Sequence, residues 1–124
     1  MSHYAYEVQE ATSFLDKENF ELLGGVEEIK NVVRTEKWCG YGWRNSVLEA
    51  TTADDIARIF SVQLVDEGAG FYRPVIEDAY VSNFFKELIN IVAPYMTDGE
   101  IKVDEEYNIV TIKYEDGKVN MWRE

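Results

Sequence analysis

Asp98, Glu100, Lys102, Asp104 and Glu106 occupy alternate positions, with Gly99, Ile101, Val103 and Glu105 between them. Successive side chains of a strand point to opposite faces. Ile101 and Val103 would therefore face a core, and the charged set would line the other side at intervals of about 6.5–7 Å. Phosphates along one DNA strand repeat at a comparable distance, so such a row can occupy a groove built for a nucleic-acid backbone. Lys102 interrupts the row. The same pattern also serves as a solvated sheet face, or as an edge strand guarded by charge. Asp98, Glu100, Asp104, Glu105 and Glu106 are the first candidate partner-binding residues.

A second constellation joins Trp38, Tyr41 and Trp43 to Arg44, with Gly40 and Gly42 between them. Aromatics and arginine are enriched among interface anchors, and glycines let a loop present them. If the tryptophans are exposed they mark a binding patch; if buried, they cap the core.

Other chemistry is excluded. The carboxylate pairs Glu27-Glu28, Asp54-Asp55 and Glu105-Glu106 are adjacent in sequence, so their members point in different directions on a helix or strand. General acid–base work needs two carboxyls converging on one cleft. Cys39 and His3 are the only thiol and imidazole, and His3 lies at the chain end, where order is usually poor. Neither a cysteine pair nor a calcium loop is present, and Asp98, Glu100 and Asp104 could hold a hard cation only loosely. Gly40-Tyr41-Gly42 lacks the residues that complete a phosphate-cradling loop. No catalytic residue, metal or cofactor is expected.

Charge bounds the partners. Twenty-four acids against 12 bases leave a net charge of −12, spread over both halves of the chain. Such a field repels nucleic acid and anionic membrane and favours basic protein surfaces. It also keeps small proteins soluble without further purpose. No apolar run approaches the roughly 20 residues that span a bilayer. The first residues show no secretory signal, and a single cysteine fits a reducing compartment. These features predict a cytoplasmic protein.

The elements that must position these residues follow from periodicity. Tyr4, Tyr6 and Val8 alternate with polar neighbours as in a half-buried strand. Phe20, Leu23, Val26, Ile29, Val32 and Val33 recur at helical spacing within residues 16–33. Gly24 and Gly25 lie inside that stretch at a cost of about 1 kcal/mol each, which kinks it or delays its start. Residues 38–43 read as a loop or short strand. Thr52 and Asp55 form a capping box ahead of Ile56, Ile59 and Phe60. Residues 60–65 and 71–76 read as strands around Gly68-Ala69-Gly70. Ser82 can cap a third helix bearing Phe84, Phe85, Leu88, Ile89 and Val92, which Pro94 ends. Asp116-Gly117 is a strong hairpin signal. A two-residue turn there sets Glu115 opposite Lys118, Tyr114 opposite Val119 and Ile112 opposite Met121.

The segment Thr52 to Phe60, the exit Ile91-Val92-Ala93-Pro94-Tyr95-Met96, Asp98-Gly99-Glu100 and the closing Tyr114-Glu115-Asp116-Gly117-Lys118-Val119 with Trp122 form a recurring pattern. Over residues 50–124 the chain resembles a loose group of small acidic bacterial and phage proteins of uncharacterised function. It departs from that group in closing on a single Trp where two aromatics often flank an Arg. The resemblance implies a setting in bacteria or their mobile elements and no particular activity.

The expectation is one acidic α+β domain over residues 1–124. It has a mainly antiparallel sheet of four to six strands and about three helices on one face. Its predicted role is non-enzymatic: a phage or mobile-element inhibitor that presents carboxylates, in the manner of DNA mimics and anti-CRISPR proteins, to the basic groove of a nucleic-acid-processing enzyme. An immunity or antitoxin-type protein anchored by the aromatic loop, and a small ligand-binding domain, stay open as alternatives. Neither direct nucleic-acid binding nor membrane insertion is expected.

Overall fold

The Asp116-Gly117 turn forms as its chemistry requires. In the computed structural model, which describes residues 5–35, 43–76, 79–80, 83–105 and 108–123, both turn residues have positive φ (52° and 74°), the signature of a type I′ hairpin. The turn joins β7 (Asn108–Glu115) to β8 (Lys118–Arg123) with Tyr114 opposite Val119, Ile112 opposite Met121 and Glu115 opposite Lys118. Pairing this pair of strands with β6 (Gly99–Glu105), β1 (Ala5–Ala11) and β5 (Ala79–Tyr80) gives an antiparallel sheet of order β5-β1-β6-β7-β8.

A second antiparallel sheet, not foreseen, has the order β2-β4-β3. It comprises β2 (Leu15–Asp16), β3 (Val62–Asp66) and β4 (Phe71–Ile76). Its β3–β4 connection uses the Gly68-Ala69-Gly70 turn, where the Asp66 carboxylate accepts the Gly68 N–H at 2.8 Å. Segment 12–14 ties the sheets together. The Ser13 hydroxyl donates to the Thr97 carbonyl at 2.5 Å, and the Phe14 N–H donates to the Thr97 hydroxyl at 2.8 Å.

Five helices occur among the described residues. The helical stretch of residues 16–33 is two elements, α1 (Lys17–Leu22) and α2 (Gly25–Thr35), broken where Gly24 takes φ 87°. Trp43 opens a helix that periodicity did not reveal, α3 (Trp43–Glu49). The capping box is realised in α4 (Ala53–Ile59): the Thr52 hydroxyl accepts from Asp55 N, and the Asp55 carboxylate accepts from Thr52 N. A first hydrogen bond from Thr51 N, then the one from Thr52 N, holds the Asp55 carboxyl below its ordinary range. α5 (Asn83–Val92) runs into a 3₁₀ turn at Ala93–Tyr95, where proline removes the ladder donor. Its expected cap, Ser82, lies outside the described residues.

One core joins these layers. Ile101, Val103, Val110, Ile112 and Tyr114 from the inner face of the large sheet are buried with Phe20, Ile29, Val33, Val47, Ile56 and Ile89. The architecture is therefore α+β, with helices against the inner sheet face. Among the described residues no helix is long and apolar enough to cross a membrane.

Candidate functional site

Directly opposed residues of antiparallel strands share a face, so the register maps the side of the large sheet turned away from the core. One row runs Glu10, Lys102, Thr111, Trp122; a second runs Glu100, Lys113, Asn120; a third places Glu7 opposite Asp104 and Asp104 opposite Ile109. Every member of these rows with a described side chain is half-exposed or exposed except Thr111. Ile109 and Trp122 expose 40% and 43% of their surface, which puts apolar area beside the carboxylates.

This arrangement changes the expected acidic row in three ways. First, β6 lies between β1 and β7, so Glu100 to Glu105 form an interior strand rather than a charge-guarded edge. Second, bases are interleaved: Lys113 stands across from Glu100, and Lys102 across from Glu10. Third, Asp98 is taken up by the fold. Its carboxylate accepts the Asp116 N–H at 3.0 Å and braces the β7–β8 turn. The strand expectation for Ile101 and Val103 is met, at 5% and 1% exposure.

Glu10, Glu100 and Asp104 take part in no ion pair among the described residues, and Lys113 pairs instead with Glu115 along its own strand at 3.6 Å. The backbone register puts Glu7 across from Asp104.

Many other acids have structural work that accounts for part of the charge. Asp16 accepts from Asn19 N at 3.3 Å and caps α1; Glu21 accepts from Ala53 N at 2.8 Å. Asp54 pairs with Lys17, whose ammonium this hydrogen bond raises above its ordinary value and which lies 4.9 Å from the Tyr72 ring centre. Glu67 pairs with Arg73 at 2.7 Å. Among the described residues no group of three potential ligands could hold a metal.

Thr111 is the strained point of the outer face. It is 1% exposed, and its hydroxyl finds no hydrogen-bond partner among the described residues. An unsatisfied buried hydroxyl is costly, whereas a methyl of the same shape is not. Thr111→Val should therefore raise stability by about 1 kcal/mol, read as a higher urea midpoint at unchanged slope. A lower midpoint would mean that the hydroxyl has a partner.

Of the aromatic constellation, Trp43 is half-buried, packs against the core and meets Phe60 with ring centres 5.5 Å apart and planes inclined at 59°. It supports the core rather than standing out as an anchor. Trp38, Tyr41 and Glu106 lie outside the described residues. Glu105 pairs through its backbone with Tyr6 and Asn108.

Sequence reasoning passed over Trp122, Ile109 and Glu10. The hairpin register held the signal for Trp122: with Ile112 opposite Met121 on the inner side, Thr111 and Trp122 must oppose each other on the outer side. Glu10 had no such signal, because a register shift between Val8 and Glu10 brings it opposite Lys102.

Fold and face together define a small acidic α+β domain with an outer sheet surface of carboxylates, lysines and an exposed tryptophan. Compared with family models, curated proteins and solved structures, the chain matches none of them.

Proposed function

We propose that this chain is a non-enzymatic protein-binding module that docks on a basic protein surface through the outer face of its large sheet. The observation that carries this reading is the state of Glu10, Glu100 and Asp104. They are exposed or half-exposed on the outer face, without an internal ion pair among the described residues, beside the exposed Trp122 and Ile109. Carboxylates so placed can accept charge-assisted hydrogen bonds from arginine and lysine. The net charge of −12 speeds encounter with a basic partner, and Trp122 supplies the aromatic contact that anchors an interface.

The setting we propose is the cytoplasm of a bacterium or a phage-infected cell. The partner is a nucleic-acid-binding enzyme of the defence type, inhibited stoichiometrically when the carboxylates take the place of phosphates. Lys102 and Lys113 within the face favour a partner whose basic groove also presents acids, a more selective match than a bare phosphate channel. An immunity-type neutralising protein is the second reading. In that reading the aromatic loop of Trp38 and Trp43 is the anchor, and the exposed Trp122 adds a second aromatic contact.

Capture of partners from a bacterial lysate at about 0.05 M and 0.5 M salt tests the proposal, because screening shortens the reach of charge from more than 10 Å to a few ångströms. Binding should fall at least tenfold with salt, and should fall comparably for the double variant Glu100→Lys, Asp104→Lys. Alanine at Trp38 and Trp43 should dominate instead if the protein is of the immunity type. Capture indifferent to salt and to both charge reversals would end the electrostatic reading.

A further inference from the structure

An apolar hollow of about 130 Å³, open to the surface on one side, lies between the second sheet, α4 and α5. Apolar side chains pack closely where they can, so an unfilled recess of this size needs a cause. Ala53 and Ala57 supply it. They stand four residues apart on one side of α4, facing Leu64 and Pro74 of the second sheet and Leu88 and Val92 of α5. Small side chains at two successive turns leave a slot that neither sheet fills.

We propose that this hollow is a binding site for a small uncharged apolar molecule, of the size of benzene or a short alkane, and that it operates independently of the outer-face docking surface. Water is a poor occupant, because it needs two to four polar partners and the described lining is hydrocarbon apart from one phenol. That phenol, Tyr114, already donates to the Ile89 carbonyl at 3.4 Å. Burial also pushes its ionisation well above the ordinary tyrosine value, so it stays neutral. A carboxylate or phosphate entering the hollow would lose its hydration with no cation among the described wall residues to replace it. Charged ligands are thereby excluded. An engineered apolar hollow of about 150 Å³ lined by Leu, Ile and Phe accepts benzene or xenon; the volume and lining here are alike, and the open side gives a ligand a way in.

The test titrates the full chain with benzene, with n-hexane and with benzoate, following melting temperature and the methyl resonances of Leu64 and Leu88. Benzene near its solubility limit should raise the melting temperature by on the order of 2–5 °C and shift those methyls, while benzoate should do neither. Ala57→Leu should fill the slot, raise the melting temperature by itself and weaken the benzene response at least tenfold. Xenon NMR on the unaltered chain provides a readout that needs no variant: a bound-xenon signal that benzene displaces supports the site. Absence of a melting shift, of methyl perturbation and of bound xenon would overturn it.

Discussion

Alanine at Gly99 should cost the fold about 3 kcal/mol or more, seen as a lower urea midpoint with unchanged slope. Gly99 sits at the first position of β6 with φ 153°, a region that L side chains rarely adopt. Its missing Cβ would lie 2.6 Å from the Thr12 carbonyl oxygen and 2.7 Å from the carbonyl carbon. Those are backbone atoms, so they cannot swing aside as a side-chain end would. Thr12 is itself pinned, its N–H donating to the Glu100 carbonyl at 2.8 Å and its hydroxyl accepting from Glu100 N at 3.0 Å. Gly117 is the control. It also has positive φ, but an added Cβ there meets only Pro94 Cα at 3.6 Å, ordinary contact. Gly117→Ala should cost about 1 kcal/mol, from backbone preference alone. Equal costs for the two variants would show that close approach at Gly99 is not the cause. Because Gly99 sets where β6 begins, its variant should also displace Glu100 and Asp104 and weaken partner binding.

Phe20→Ala should be destabilising by about 3–5 kcal/mol, the upper range for truncating a buried aromatic. Phe20 is 2% exposed, and its ring meets Tyr95 edge-on with centres 5.4 Å apart. It also lies beneath the α1–α2 break: a Cβ on Gly25 would come 2.3 Å from the ring, so the glycine and the phenyl group have to coexist. The ring lines the core hollow, so truncation enlarges a space that is already present and cannot collapse onto close-packed neighbours. Phe20→Leu refills most of the volume and should cost less than half as much. A loss below about 1 kcal/mol for the alanine variant would show that the surroundings relax into the space.

These two sites divide what could be read from the chain and what could not. The Asp116-Gly117 hairpin with its register, the capping box at Thr52 and Asp55, the end of α5 at Pro94 and the inward direction of Ile101 and Val103 were legible from residues alone. Each depends on forces that act within a few positions: turn dihedrals, cap hydrogen bonds, and the two-residue period of a strand. The break between α1 and α2 was half-legible, since the glycine pair gave notice of an interruption while its left-handed geometry became visible only in place.

The candidate face belongs to the other category. Alternation put Glu100, Lys102 and Asp104 on one side, but nothing local said that β1 would lie on one flank and β7 on the other. Nor did anything say that Lys113 would stand opposite Glu100, or that Asp98 would be taken up by a turn 18 residues away. Trp43 looked like an anchor because composition cannot distinguish an aromatic presented by a loop from one packed against Phe60. The second sheet joins Leu15 to Tyr72 across a long stretch of chain. Amino-acid order by itself determined the acidity, the strand and helix periods and the tight turns, because these are sums over neighbours. Which carboxylates stay unpaired, which tryptophan is exposed and where the core is left hollow were decided by the tertiary structure. Those outcomes depend on contacts between distant segments, chosen to bury the whole core at once, and no short window of residues contains that choice.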